Sequence, residues 1–296
     1  MKKSALVFAM ASLLLSGCAK KAAPHVIIFG LDGWGSFSME EADIPNIRSL
    51  MSGGTYTLEK RTMQPSHSAT NWASMFTGVG PQIHGFTSCC SPKPDIEPIY
   101  KTEYGVFPTI FRELRNQRPE AEIGTLYDWK GLGAVLDTLS FSFREIYPGD
   151  EAALVPATGK ACDYVKASKP DLMLMYYGIT DHTGHSEGFG APEYYRILNV
   201  VDESIGKIIQ ATKDAGIYDD CVFVVTSDHG GIGKGHGGIN TREMYTPLVI
   251  CGKGIANKGD LGKPIVQVDQ APTLARILGI KLTQDVWGRC VEDYFE

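Results

Sequence analysis

Five short apolar runs punctuate the chain, at residues 25–30, 122–127, 172–177, 221–226 and 247–251, each bounded by Gly, Asp or Pro. They lack polar–apolar alternation, the pattern of strands buried on both faces of a sheet. Helix-like segments separate them, at 44–51, 71–77, 107–115, 150–167, 192–215 and 271–278. Gly216 and Gly279 stand where two of these helices would stop, and Pro272 suits a first helical turn. Strands alternating with helices predict an α/β fold with a mainly parallel central sheet sandwiched between helices. No repeat or inter-domain linker interrupts 25–296, so one domain is expected. The stretch 86–103 breaks the rhythm. Rich in Ser, Pro and Cys and stiffened by Pro92, Pro94 and Pro98, it reads as a small insertion over the sheet edge, placed to wall a site.

The first residues obey a different logic. Lys2 and Lys3 precede an apolar run at 5–15 that is too short to span a bilayer as a mature anchor. The run ends in Leu15-Ser16-Gly17-Cys18, which resembles the bacterial lipobox. That resemblance implies a signal peptide over 1–17, acylation of Cys18, a tether over 18–24, and a catalytic domain from 25 to 296. It places the protein in the cell envelope, held to a membrane by lipid, and Ala19 after the cysteine points to the outer membrane. Six further cysteines remain. Cys221 and Cys251 fall in core runs, Cys89, Cys90, Cys162 and Cys290 in less regular stretches, and with no CxxC a thiolate zinc site is not expected. A net charge of -6 with no basic stripe argues against duplex nucleic acid, whose phosphates need clustered Lys and Arg. A small anionic substrate remains compatible where metal cations offset its charge.

The chemistry lies in the residues just after the apolar runs. The first run leads into Asp32-Gly33, the third into Thr180-Asp181-His182-Thr183-Gly184-His185, and the fourth into Ser227-Asp228-His229-Gly230-Gly231. In an open parallel sheet the carboxyl ends of the strands share one edge, where ligands bind. Asp32, Asp181, His185, Asp228 and His229 should therefore converge. Singly, each could be a cap or turn former. Together, unpaired carboxylates would be costly to bury without divalent cations. His236, flanked by Gly235 and Gly237, is the only histidine after His229 and completes the candidate set.

The segment 63–78, Met-Gln-Pro-Ser-His-Ser-Ala-Thr-Asn-Trp-Ala-Ser-Met-Phe-Thr-Gly, passes from loop into helix. A hydroxyl at that junction gains from backbone N–H groups and the positive helix end. Ser66, Ser68 and Thr70 all qualify, and Ser68 or Thr70 could equally be an N-cap.

These motifs together resemble the alkaline phosphatase superfamily, closest to its type I phosphodiesterase/nucleotide pyrophosphatase branch. The branch pattern is a nucleophile three residues before Asn, then Thr-Gly, then Pro-x-x-His-Gly. Here stand Ser68, Asn71, Thr77-Gly78 and Pro81-Gln82-Ile83-His84-Gly85. The resemblance implies an alkaline-phosphatase-like fold and Ser68 as nucleophile in place of the usual threonine. It also implies Asn71, with the Ala69 amide, as oxyanion donor. Two divalent cations are implied, zinc first and magnesium or manganese as alternatives. One would take Asp181, His185 and His236; the other would take Asp32, Asp228, His229 and the Ser68 oxygen. The short gap from His229 to His236 departs from the pattern of the larger pyrophosphatases. The implied activity is hydrolysis of phosphate esters through a phosphoserine, with diesters or nucleotide-like molecules preferred.

Other readings are weaker. Leu31-Asp32-Gly33-Trp34-Gly35 resembles cofactor-independent phosphoglycerate mutase, but the chain lacks room for its second domain. A sulfatase would need Cys or Ser before x-Pro-x-Arg, and Ser68-Ala69-Thr70-Asn71 does not match. A phosphomonoesterase would bring Lys or Arg, such as Lys130 or Lys234, to the extra charge. A non-catalytic binding lipoprotein predicts an incomplete ligand set. His25, His67 and His84 read as structural, His182 as a neighbour able to support a ligand, and Asp128-Trp129 as a turn at the sheet edge.

Overall fold

The computed structural model describes residues 24–295; the expected signal peptide, Cys18 and most of the tether lie outside the described residues. Nine strands form one sheet: β1 (His25–Leu31), β2 (Gly54–Arg61), β3 (Ile123–Tyr127), β4 (Phe143–Ile146), β5 (Leu172–Tyr177), β6 (Cys221–Thr226), β7 (Tyr245–Gly252), β8 (Gly259–Asp260) and β9 (Ile265–Val266). The order is β4-β3-β5-β1-β6-β7-β2-β8, with β9 also pairing β2. From β4 to β6 every pairing is parallel.

Strand β7 departs from the expected direction. It runs antiparallel to both β6 and β2. Between β6 and β7 the chain forms only a long loop and the four-residue helix Thr241–Met244, so no long crossover helix carries it back to the starting edge. Strand β2, Gly-Thr-Tyr-Thr-Leu-Glu-Lys-Arg, was not expected because it has no apolar run.

Side chains alternate across the central strands, so each strand feeds two cores. Val26 and Ile28 of β1 pack on one face with Trp72, Phe76, Phe111 and Leu274. Ile27 and Phe29 pack on the other with Ile47, Leu198, Val201 and Ile205. Each such side chain, fully buried, stabilises the fold by roughly 1.5–3 kcal/mol before entropy is counted. The layers are those of a single α/β domain. Gly30 in β1 is required by packing, since a Cβ there would sit 2.6 Å from Trp72 Cη2.

Most expected helices appear within a few residues, including Glu151–Ser168 and Pro192–Asp214. The helix expected from Asn71 begins at Ser68 and runs to Thr77. Among the described residues, four α-helices lie outside the expected segments: Lys130–Val135, Ile179–Glu187 and the one-turn helices Pro81–His84 and Thr241–Met244. Residues 86–103 contain no helix or strand. Asp95 organises that segment, accepting from the amides of Thr87 at 2.8 Å and Ser88 at 3.0 Å.

Candidate active site

The carboxyl ends of β1, β5 and β6 deliver the site. Asp32 comes directly after β1, and Asp228 and His229 come after β6. Beyond β5 the chain enters Ile179–Glu187, where Asp181 and His185 lie four residues apart on one helical face. Half-buried Asp128 anchors this helix, accepting from the amides of Gly178 at 2.7 Å and Ile179 at 3.1 Å. What read as a polar turn at Asp128 is a helix anchor. Gly33, with φ of +69°, lets the chain turn beneath Asp181, whose Oδ1 would lie 2.9 Å from any Cβ there.

Among the described residues, two groups of ligand-type side chains gather their donor atoms: Asp32, Asp228 and His229, and Asp181, His185 and His236. In the first, His229 Nε2 lies 3.1 Å from Asp228 Oδ2 and 3.4 Å from Asp32 Oδ1. In the second, His185 Nε2 lies 3.3 Å from Asp181 Oδ2, and His236 Nε2 lies 3.7 Å from Asp181 Oδ1. Ser68 Oγ sits 3.0 Å from His229 Nε2 and 3.4 Å from Asp32 Oδ1. The N-cap of its helix is His67, without a side-chain cap bond, so the Ser68 hydroxyl is turned to the clusters and is not a cap.

The histidines are oriented for cations. The Nδ1 atoms of His229, His185 and His236 face the carbonyls of Gly230, Lys234 and Ser66 at 2.8, 2.9 and 2.9 Å. Each Nδ1 then carries a proton toward its carbonyl, and each Nε2 is turned into the site. Two of these, on His185 and His236, are only 3.2 Å apart. Asp181 Oδ1 and Asp228 Oδ2 are buried without a hydrogen-bond partner. The orphaned carboxylate oxygens leave buried negative charge that a cation between these side chains would offset. The donor set, carboxylate and imidazole with no thiolate, fits zinc and other divalent first-row metals.

The electrostatics agree. Burial, and then the charges of Asp228 and Asp181, push the Asp32 carboxyl well above its usual range. Burial also raises Asp228 and pushes His236 down to about 3, helped by His229. Without a cation, the hydrogen bond that His185 donates to Asp181 raises the imidazole to about 9, so a cation would have to displace that proton. Asp32 is further held by Trp72 Nε1 at 3.0 Å and by the Tyr176 hydroxyl. Those two partners were not anticipated; only their position on elements flanking β1 reveals them. Nor was Lys60, wholly buried in β2, whose Nζ donates to Thr226 Oγ1 at 2.7 Å and to the Ser227 carbonyl at 2.6 Å, bracing the turn before Asp228.

Asn71 is not brought into the site. Its Nδ2 donates to the carbonyls of Met63, Pro65 and His67 at 3.1–3.2 Å, and its Oδ1 accepts from the Met63 amide at 2.7 Å. Both amide protons are committed to the loop leading into Ser68, so the expected oxyanion donation is not available in this geometry. Asn71 shapes the loop leading into Ser68 instead. His84, as expected, is internal: its Nδ1 accepts from the Phe86 amide at 3.1 Å and its Nε2 meets Ser74 Oγ at 2.9 Å.

A cavity of about 390 Å³ opens over the clusters, lined by Ser68, Asp181, His185 and His236 together with Trp129, Tyr176, Cys89 and Cys90. The 86–103 segment thus contributes a wall. Among the described residues, no Lys or Arg lines this cavity; Lys234 Nζ instead donates to the Ser186 carbonyl. A larger cavity of about 910 Å³ lies at the opposite sheet edge, by His25, Asp171 and Lys253. Its Lys253 and Arg276 are already paired with Asp220 and Glu292, and it holds no ligand cluster.

A family model described as type I phosphodiesterase / nucleotide pyrophosphatase matches residues 26–241. Ectonucleotide pyrophosphatase/phosphodiesterase family member 1 of Mus musculus is 27% identical over 227 residues, covering 70% of this chain and 24% of that protein. Venom phosphodiesterase 2 of Crotalus adamanteus is 24% identical over 224 residues, covering 69% and 26% respectively. The chain therefore spans about a quarter of the length of these curated relatives. Among solved structures, murine ectonucleotide pyrophosphatase/phosphodiesterase 5 in an inactive form complexed with AMP has a TM-score of 0.72 at 15% identity, covering 92% of this chain and 100% of that one. A 2-O GAG sulfatase has a TM-score of 0.69 at 13% identity, covering 91% and 73%. These likenesses establish an alkaline-phosphatase-like fold. With the matched region running from β1 past His236, the chain belongs to the type I phosphodiesterase / nucleotide pyrophosphatase family of the alkaline phosphatase superfamily.

Proposed function

We propose that the protein is a metal-dependent phosphodiesterase or nucleotide pyrophosphatase that acts through a phosphoserine on Ser68 and holds two divalent cations, zinc first. The observation that carries the reading is the position of Ser68 Oγ against the Asp32–Asp228–His229 cluster, with Asp181, His185 and His236 gathered beside it. Asp181, His185 and His236 would hold one cation, and Asp32, Asp228, His229 and Ser68 Oγ the other. When bound, the pair would supply positive charge to the nucleophile and the leaving oxygen.

Ser68 Oγ forms the new bond to phosphorus while the ester oxygen opposite it leaves. Water then cleaves the Ser68–phosphate bond, so one water is consumed per ester bond broken. The start of the Ser68–Thr77 helix directs its positive end at the anionic phosphoryl group. Tyr176 and Trp72 hold Asp32 in place through both stages.

Among the described residues, a cavity lined by no Lys or Arg favours a singly charged diester over a doubly charged monoester. Small nucleotide-like diesters are the substrate class of choice, in keeping with the names of the relatives. The decisive experiment compares p-nitrophenyl phosphate, bis-p-nitrophenyl phosphate and p-nitrophenyl sulfate after zinc, magnesium or manganese is added back. The diester should be turned over fastest. Preference for the sulfate, or turnover unaffected by chelation, would sink the reading.

The N-terminal pattern supports a lipid-anchored enzyme of the bacterial cell envelope, acylated at Cys18 after loss of 1–17 and tethered through 18–24 to the catalytic domain. A Cys18→Ser variant should leave the membrane fraction; retention there would argue against the anchor.

A further inference from the structure

Two consecutive thiols stand at the mouth of the Ser68 cavity. Cys89 and Cys90 are free and exposed, and both line the cavity with Ser68, Asp181 and His236. The Cys89 carbonyl accepts from the Ala69 amide at 3.4 Å, so the pair touches the first turn of the nucleophile helix. Neighbouring Cα atoms are about 3.8 Å apart, shorter than the roughly 4.4–6.8 Å that a relaxed disulfide spans. A bridge closed between adjacent cysteines is therefore easily reduced, the behaviour of a labile disulfide and not of a structural one.

We propose that Cys89–Cys90 is a thiol–disulfide exchange site at the cavity mouth, taking small disulfides of the glutathione class. The Cys89 thiolate attacks one sulfur of the disulfide; a Cys89–S–S–R bond forms and one thiolate leaves, collecting a proton. Cys90, deprotonated in turn, attacks Cys89 Sγ and expels the second thiolate. The two cysteines lose two electrons and two protons, and the disulfide becomes two thiols. Burial pushes the Cys90 thiol up to about 11, so Cys90 ionises slowly and takes the second, resolving step. Until Cys90 acts, the captured group stands in the path to Ser68.

The position of the pair at a working site rests on the phosphodiesterase reading; the thiol chemistry does not. The test treats the full, metal-loaded chain with glutathione disulfide and maps cysteine peptides by mass. In the wild type the Cys89–Cys90 peptide should lose two hydrogens, reversibly with dithiothreitol. In Cys90→Ser the same peptide should keep one glutathione, and kcat/KM for the diester should fall at least ~10-fold, because a bulky group displaces substrate from its reacting geometry. A stable adduct in the wild type, or no modification of the pair while other cysteines react, overturns the exchange site. An adduct in Cys90→Ser that leaves turnover unchanged overturns its placement at the mouth. If untreated protein shows no turnover, the phosphodiesterase reading fails while the peptide masses still decide the exchange chemistry.

Discussion

The imidazoles of His229 and His236 lie face to face, with ring centroids 3.7 Å apart and planes tilted by 16°. Their carboxylate neighbours place them in different clusters, His229 with Asp32 and Asp228, His236 with Asp181 and His185. The stack therefore sets how close the two clusters can come. Two imidazolium charges at this distance would repel, so the stack needs at least one neutral ring. Burial and the neighbouring His229 keep His236 uncharged down to about pH 3, so the arrangement holds across the neutral range.

Replacing Ser68 with Ala should lower kcat by at least ~10³-fold, the scale on which a nucleophile acting within a catalytic unit is lost. Bound metal, measured by mass spectrometry of the purified protein, should stay near the wild-type level. Substantial turnover in this variant would remove Ser68 from its role.

Removing His236 should reduce bound zinc from about two equivalents to about one, because two-metal sites in this class divide their ligands between cations. Dialysis against buffered zinc and then elemental analysis read the count directly. An unchanged stoichiometry would exclude His236 as a ligand.

Asn71→Ala separates two roles. Loss of a true oxyanion donor would cost ~10²–10³-fold in kcat with stability untouched. The four loop hydrogen bonds of Asn71 lead us to expect a stability loss of about 2–3 kcal/mol instead, as several backbone groups lose their partner. Urea unfolding beside steady-state kinetics distinguishes the outcomes.

His84 makes stability fall on the acid side. Burial lowers its pKa from the usual 6.5 to about 3, and its Nδ1 already accepts from Phe86. Between those values the unfolded chain binds a proton that the folded protein refuses. The stability associated with this residue is therefore present above about pH 6.5 and is lost as pH falls toward 3, by up to ~1.4 kcal/mol per pH unit. A His84→Gln variant should show a shallower decline between pH 6.5 and 4.5 in denaturant unfolding. Parallel curves would contradict the assignment.

Several elements are legible in the order of residues alone. The runs at β5 and β6 match the strands residue for residue, because strands buried on both faces leave no polar position to blur their ends. Asp32, Asp228 and His229 are placed by the rule that ligands gather where parallel strands end. Strand β2 escapes notice because Thr55, Thr57 and Lys60 are buried through hydrogen bonds and not through hydrophobicity. The helix Ile179–Glu187 is hidden by its polar composition and Gly184; Asp128, far away in sequence, anchors its start.

The strand–helix alternation, the sheet edge where the ligand-type residues gather, and the residue types found there all follow from residue order alone. Those are consequences of local periodicity and of a short list of ligand-bearing turns. Only the tertiary structure decided which atoms face one another. The Nδ1 contacts that turn three Nε2 atoms inward come from carbonyls of Gly230 and Lys234 on the loop after β6 and of Ser66 on the loop before Ser68. The withdrawal of the Asn71 amide from the site comes from the path of residues 63–67. Hydrogen-bond direction depends on the placement of a partner in space, and one-dimensional spacing carries no record of it.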